Sequence, residues 1–193
     1  MNLVFATHNK NKLSEVQQLM PPAIKLLSLV DIGCNEEIPE TARTLQGNAL
    51  IKSRYVKSKY GYDCFADDTG LEVDYLDGAP GVYSARYAGP GKNAQDNMNK
   101  LLTELQGAAD RSARFRTVIS LILDGEEHLF EGVCEGVITK VPAGEKGFGY
   151  DPVFCPKGFN KTFAEMDMSE KGRISHRGRA LKKLQDFLLA RNI

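Results

Sequence analysis

The sequence has no tryptophan, no CxxC pair and no net charge, since Lys plus Arg and Asp plus Glu number 25 each. Without an excess of one sign, no overall field draws the protein to nucleic acid or to an anionic membrane. No apolar run approaches the roughly 20 residues that span a bilayer. The opening stretch MNLVFATHNK has neither a basic leader nor a signal-peptide core. We therefore expect a cytoplasmic protein whose scattered cysteines are reduced thiols.

What is present is an ordinary globular balance, with 42% apolar and 26% charged residues in a chain of 193. Apolar spacing predicts helices over residues 44–60 and after Ser175, and a long hairpin closed by Asp124-Gly125. Strands alternate with helices early in the chain, and the hairpin comes late. These patterns favour an α/β fold around a mixed sheet, formed by one domain over residues 1–193.

The stretch THNKNK, residues 7–12, lies between a predicted strand and a predicted helix. The start of such a helix offers free backbone N–H groups and a positive dipole end, which suit phosphate. Thr7 and Asn9 add neutral donors, and Lys10 and Lys12 add charge. Thr and Asn are also ordinary helix caps, so a purely structural interpretation is open. The chain contains no GxxxxGK[ST] phosphate loop.

Two adjacent aspartates, Asp67 and Asp68, follow a short strand predicted over residues 63–66. Open α/β sheets bind ligands beyond the ends of their strands. Mg²⁺ takes one or two carboxylates together with water and phosphate oxygens. One aspartate and one glutamate from a nearby loop would therefore be enough to hold the ion. The alternative is a solvated acidic turn without a catalytic role.

The segment EKGRISHRGRALKK, residues 170–183, concentrates basic side chains near a predicted helix start. The basic side chains further along the helix can simply lie on its solvent-exposed face. His176 and Arg177 are harder to explain, because cations at a helix N-terminus oppose its dipole. A bound nucleotide would supply a partner for them.

In GFGYDP, residues 147–152, two aromatic residues lie among glycines and next to an aspartate. Aromatic side chains on a glycine-rich loop can close over a nucleotide base. The alternative is a glycine turn whose aromatics pack into the core. These six residues alone leave both interpretations open.

Four segments in this order resemble the inosine triphosphate pyrophosphatase family: FATHNKNK, ADDTGLEVDYLDGAPGVYSARYAG, PAGEKGFGYDPVF and ISHRGRALK. The resemblance covers nearly the whole chain, and the second segment is long and specific. It implies a Mg²⁺-dependent enzyme that cleaves ITP, dITP or XTP between the α- and β-phosphates and so clears them from the nucleotide pool. It also implies an elongated α/β fold, with two lobes around a long mixed sheet and the active-site cleft between them. The family is usually homodimeric.

The same resemblance assigns roles to residues. Asp68 corresponds to the proton acceptor and metal ligand, Glu40 to the second acid on the metal side, and Lys52 to a residue that reaches the phosphates. Phe148 corresponds to the residue that stacks on the base. The substrate contacts implied by the resemblance are Thr7, His8, Asn9, Lys10, Asn11, Lys12, Thr69, Phe148, Gly149, Tyr150, Asp151, Lys171, His176 and Arg177.

One position departs from the family pattern: Gly47 stands where relatives often carry Glu in a Glu-Asn-Ala run.

Two other functions are alternatives to this one. A Maf-like pyrophosphatase would act on other modified nucleotides, but the SHRG and GFGYD segments are the purine-reading parts of the resemblance. An RNA-binding module would use the basic segment 171–183, against which the absence of net charge counts.

Overall fold

The structure, a computed structural model, describes residues 1–191, which contain seven strands in one sheet and five α-helices. The strands are β1 (Asn2–Phe5), β2 (Lys25–Leu27), β3 (Cys64–Val73), β4 (Pro80–Gly81), β5 (Ser112–Leu123), β6 (Glu126–Ile138) and β7 (Phe154–Pro156). The helices are α1 (Lys10–Leu19), α2 (Leu45–Tyr60), α3 (Ala94–Glu104), α4 (Met168–Ile174) and α5 (His176–Ala190). None of these helices is long and apolar enough to span a bilayer.

The sheet is mixed, with the strand order β2-β1-β3-β5-β6-β7 and β4 paired beside β3. Strand β1 runs parallel to both β2 and β3. The pairs β3–β4 and β6–β7 are antiparallel. The predicted α/β fold with a mixed sheet and flanking helices is therefore confirmed.

Local signals place several elements where the sequence predicts them. Helix α2 follows Thr44, whose hydroxyl caps its first turn, and ends at Gly61, where φ is 78°. Asp124 and Gly125 both have positive φ, as the two-residue turn of a hairpin requires. Helix α5 begins directly after Ser175. The predicted helices and the hairpin are confirmed.

The strand that carries the two aspartates differs from the prediction. It was expected to end at residue 66, but β3 continues through Asp67 and Asp68 to Val73. The prediction that the aspartates lie beyond the end of this strand is wrong. Adjacent carboxylates repel each other, which disfavours a place inside a strand, but here both side chains are buried and cations from distant parts of the chain offset their charge.

The chain divides into two compact units, each with its own apolar core. The first unit comprises residues 1–68, 117–132 and the segment from Arg177 onwards, and the second comprises residues 69–116 and 133–176. In the first unit the rings of Phe5 and Phe65 stack with centroids 4.6 Å apart. In the second, Phe115 and Phe163 lie in the core with stacked rings. Each unit thus has an apolar frame that can hold polar side chains in place.

Candidate active site

Asp67 and Asp68 are neighbours on β3, and only 1% and 7% of their surfaces are exposed. Successive side chains of a strand point to opposite faces, so the two carboxylates meet different partners. Asp67 accepts hydrogen bonds from Lys12 Nζ at 3.0 Å and from Arg177 Nε at 3.1 Å. Asp68 accepts one from Asn48 Nδ2 at 3.0 Å. One aspartate is therefore ion-paired and the other is held by an amide.

A further buried cation, Lys52, and a second contact of Arg177 complete this arrangement within the first unit. Lys52, on α2, donates to Glu40 Oε1 at 2.5 Å and to the backbone carbonyl of Asp67 at 2.6 Å. Arg177 also donates to Glu15 Oε2 at 2.5 Å. It is the first residue of the last segment that belongs to the first unit. We call this group the charge cluster. Its members are Lys12, Glu15, Glu40, Asn48, Lys52, Asp67, Asp68 and Arg177.

The two aspartates have pKa values shifted in opposite directions. Burial alone would raise the pKa of either carboxyl. At Asp67 the positive charges of Lys12, Arg177 and Lys52 outweigh burial and hold the pKa well below its usual value. At Asp68 burial prevails over the attraction of Lys52 and Lys12, so the pKa is raised. Neighbouring acids whose pKa values are pushed apart are typical of sites that transfer protons.

The pKa values of Lys12 and Lys52 are also shifted. Burial lowers the pKa of Lys12, although the negative charge of Asp67 opposes this shift. At Lys52 burial is outweighed by the charges of Asp68, Glu40 and Asp67, and the pKa is raised. Lys52 is therefore a fixed positive charge beside both aspartates. Such buried cations strengthen the binding of an anion, because little water screens them.

The predicted phosphate loop begins α1, and its side chains largely shape the loop itself. Asn9 is the N-cap, and its Oδ1 accepts from the backbone N–H groups of Asn11 at 3.0 Å and Lys12 at 3.1 Å. Thr7 Oγ1 accepts from the N–H of Asn9 at 3.1 Å. The structural interpretation of Thr7 and Asn9 therefore holds, and their contact with phosphate stays a prediction.

The rest of that loop divides between solvent and the charge cluster. His8 Nε2 donates to the backbone carbonyl of Glu36 at 2.8 Å, and His8, Lys10 and Asn11 are exposed. Lys12 turns inward to Asp67. Lys12 thus connects the predicted phosphate loop to the pair of aspartates predicted on the metal side.

In the second unit, Asp151 organises the predicted base-side loop. Its Oδ2 accepts from the backbone N–H of Phe148 at 2.9 Å and from Lys171 Nζ at 2.7 Å. The ammonium of Lys171 lies 5.0 Å from the ring centroid of Phe148 and 5.6 Å from that of Phe163. A Cβ at Gly147, where φ is 71°, would come 2.0 Å from Asp151 Oδ2. We call Phe148, Asp151, Phe163 and Lys171 the aromatic cluster.

The remaining residues predicted on the base side have core contacts. Tyr150 is buried, and its hydroxyl donates to the backbone carbonyl of Ser84 at 2.7 Å. His176 is buried and stacks on Phe115 with centroids 4.5 Å apart. Phe148 is half-buried, as is Gly149. Of the two aromatics in GFGYDP, Tyr150 therefore packs into the core and Phe148 does not.

The structure brings together many of the predicted residues, but it does not test their roles. Glu40, Asp68, Lys12 and Arg177 meet in the charge cluster, and Phe148, Asp151 and Lys171 meet in the aromatic cluster. Thr69 follows Asp68 on β3 and is half-buried. Their contacts with substrate and metal stay predictions.

Sequence reasoning missed two members of the charge cluster, Glu15 and Asn48. Both are buried polar residues on helices, Glu15 beside Val16 on α1 and Asn48 four residues before Lys52 on α2. Side chains four residues apart share a helix face. A polar pair at that spacing on an otherwise apolar face was the available signal.

Comparison with known proteins gives consistent results. The model of the Ham1 family matches residues 3–187. The chain is 58% identical over 187 residues to a protein of Flavobacterium psychrophilum named dITP/XTP pyrophosphatase, covering 97% of this chain and 98% of that protein. It is 59% identical to a protein of the same name from Christiangramia forsetii, covering 97% and 99%. The solved structure of the Staphylococcus aureus Ham1 protein matches with a TM-score of 0.90 at 38% identity, over 99% of this chain and 100% of that chain.

Proposed function

The chain belongs to the Ham1 family, and from this premise we propose that it hydrolyses non-standard purine nucleoside triphosphates. The substrates are ITP, dITP and XTP, and the products are the monophosphate and pyrophosphate. Relatives named dITP/XTP pyrophosphatase match over nearly the full chain and support this reading. The observation that carries it is the pair of buried aspartates with opposite pKa shifts, set among buried cations.

Asp68 is the proposed general base. Its raised pKa makes it a better proton acceptor than an ordinary aspartate. As water attacks phosphorus, a proton of that water passes to the Asp68 carboxylate and pyrophosphate leaves. Asp67 is poorly suited to this role, because Lys12 and Arg177 hold its pKa low.

Lys12 and Lys52 are the proposed counter-charges for the triphosphate. Both lie beside the aspartates, and Lys12 is in the first turn of α1, whose free N–H groups suit phosphate. Cleavage of a phosphoanhydride depends mainly on positioning and on offsetting negative charge. Thr7, together with the loop up to Asn11, completes the proposed triphosphate site.

Mg²⁺ is the proposed cofactor, with Asp68 and Glu40 as its ligands. Their carboxylate oxygens fit its preference for a few oxygen ligands, with water and phosphate oxygens completing the shell. Within residues 1–191 no group of three or more His, Cys, Asp or Glu is arranged to hold an ion by itself. When bound, the ion would offset charge on the phosphate oxygens.

Phe148 is the proposed stacking surface for the purine. It is half-buried, and its backbone is held by Asp151, which is in turn paired with Lys171. We retain His176 and Arg177 as proposed donors to the 6-oxo group of hypoxanthine and xanthine, which ATP lacks. Gly149, Tyr150 and Thr69 complete the substrate contacts proposed by resemblance.

Residues 1–193 are proposed to act as one functional domain, as a homodimer and in the cytoplasm. The chain covers 98% and 99% of two relatives' lengths, which supports a single functional unit. A small nucleotide is the proposed partner, rather than nucleic acid or a membrane, because the chain has no net charge.

A substrate panel tests the proposal. We expect release of monophosphate from ITP, dITP and XTP in the presence of Mg²⁺, with kcat/KM at least about tenfold above that for ATP and GTP. Excess EDTA should abolish turnover. Equal rates on all five nucleotides would contradict the substrate class, and full turnover in EDTA would contradict the cofactor.

A further inference from the structure

We propose that Asn48 is a positioning residue that fixes the Asp68 carboxylate for catalysis, an inference that rests on the proposed function. Asn48 is completely buried on α2. Its Nδ2 donates to Asp68 Oδ2 at 3.0 Å, and its Oδ1 accepts from the backbone N–H of Ala42 at 2.9 Å. One side chain thus ties Asp68 to the loop that follows Glu40.

The chemistry of its two partners fixes the orientation of this amide. A backbone N–H can only donate, so the amide oxygen must face Ala42. An ionised carboxylate can only accept, so the amide nitrogen must face Asp68. A carboxylate at position 48 would satisfy Ala42 but repel Asp68, and an apolar side chain would satisfy neither. The requirement for an amide is therefore specific.

Helix α2 provides a rigid support for this contact. Asn48 and Lys52 lie one turn apart on the same face and both reach β3, Asn48 at the Asp68 side chain and Lys52 at the Asp67 carbonyl. Apolar neighbours Leu45 and Ala49 are buried beside them. A site carried by a helix and a strand is held more precisely than one carried by loops.

Gly47 permits the close approach that brings Ala42 to Asn48. A Cβ at Gly47 would come 2.6 Å from the Cβ of Ala42 and 3.1 Å from Oγ1 of Thr44. Any side chain at position 47 would therefore push the loop away and move the N–H of Ala42 off the amide. The departure from the family pattern at Gly47 thus has a physical role in this chain.

The decisive variant is Asn48→Asp, which keeps the shape and the contact with Ala42 but loses the donor to Asp68. Loss of an orienting partner typically costs about 10–100-fold in activity. We expect kcat for ITP to fall by that factor while KM stays within about threefold, because substrate binding does not use Asn48. A role in folding alone would not separate kcat from KM in this way.

Ser53→Ala is the matched control. Ser53 is also completely buried on α2, and its hydroxyl lies 2.8 Å from that of Ser120 and 3.2 Å from the backbone carbonyl oxygen of Leu50. It should lose a buried hydrogen bond and some stability, with kcat nearly unchanged. Gly47→Ala should lower kcat, but less than Asn48→Asp does, and leave KM unchanged.

A folded Asn48→Asp variant with the kcat of the wild type would overturn the proposal, and so would an equal loss of kcat in Ser53→Ala. Should Asn48→Asp fail to fold, the exchange variant Asn48→Asp/Asp68→Asn decides. It restores a donor opposite an acceptor, so its melting temperature should return towards that of the wild type while activity stays absent. If the melting temperature does not recover, the proposed contact between residues 48 and 68 is contradicted. If wild type and Ser53→Ala both leave ITP intact, the proposed function fails instead.

Discussion

The charge cluster and the aromatic cluster hold their carboxylates in different ways. In the first unit, the side chains of Asp67 and Arg177 are each only 2% exposed and belong to a dense network of opposite charges. In the second, Asp151 pairs with Lys171, whose ammonium also lies over two aromatic rings. A dense network suits a polyanion and the activation of water. A half-buried ring with a positioned cation suits a flat, weakly polar base.

The difference also predicts unequal responses to mutation. Burying charges costs free energy that only well-placed partners offset, so removing one partner from the charge cluster leaves uncompensated charge. In the aromatic cluster, the cation–π contacts of Lys171 provide part of its stabilisation independently of Asp151. Changes in the first unit should therefore act on kcat and stability, and changes in the second on KM.

The largest effect is expected from Asp68→Asn, which keeps the shape of the side chain but removes its charge and basicity. Because general-base catalysis contributes about 10²–10⁴-fold, steady-state kinetics on ITP should show kcat reduced by at least that much. Circular dichroism should show an intact fold. A variant within tenfold of the wild type would move the base to another residue, with Asp67 the next to test.

Asp67→Asn should cause the largest loss of stability. It removes the carboxylate charge that Lys12 and Arg177 share, although Arg177 keeps its contact with Glu15, and breaking a buried ion pair costs about 3–5 kcal/mol. Urea unfolding measures this change. The control is Asp186→Asn, which breaks a pair with Lys182 whose side chains are 67% and 55% exposed. It should change stability far less, and equal losses in both variants would contradict the contrast.

Gly147→Ala tests the aromatic cluster. The new Cβ would press on Asp151 Oδ2 and displace the backbone of Phe148, so we expect KM for ITP to rise by about tenfold with a smaller change in kcat. Gly158→Ala is matched in strain, since φ is 86° there and nothing lies within 4 Å of the added Cβ. A similar rise in KM in Gly158→Ala would show that backbone strain, rather than the contact with Asp151, is responsible.

A smaller effect is expected in the pH dependence of stability. The folded-state pKa of Asp67 lies below the ordinary 3.8, so its contribution is complete above that pH and is lost as the pH falls towards the folded-state pKa. One such group contributes a slope of at most about 1.4 kcal/mol per pH unit. The stability advantage of the wild type over Asp67→Asn should therefore be constant from pH 5 to 7 and shrink below about 3.8. Parallel curves down to pH 2 would contradict this assignment.

The parts of the fold that the sequence predicts have local signals. Thr44 and Gly61 bound α2, and the positive φ of Asp124 and Gly125 closes the hairpin within two residues. Helix α4 was missed because it is only seven residues long and contains Gly172. Short helices with a central glycine have little periodicity to detect.

The arrangement of the charge cluster depends on contacts that no local pattern contains. Asp67 meets Lys12 across 55 residues of sequence and Arg177 across 110. Asn48 meets Asp68 across 20 residues. Resemblance to a family selected Asp68 and Lys12, but it could not show that Asp67 remains in a strand or that an amide holds Asp68. Both depend on the packing of α1, α2 and α5 residues against β3.

The products of ITP turnover test the central claim most directly. Phosphorus NMR of the reaction with Mg²⁺ should show inosine monophosphate and pyrophosphate in equal amounts, with neither inosine diphosphate nor orthophosphate at early times. The Asp68→Asn variant at the same concentration should show none of these products over the same interval. Inosine diphosphate and orthophosphate as the first products would place cleavage at the γ-phosphate and contradict the account.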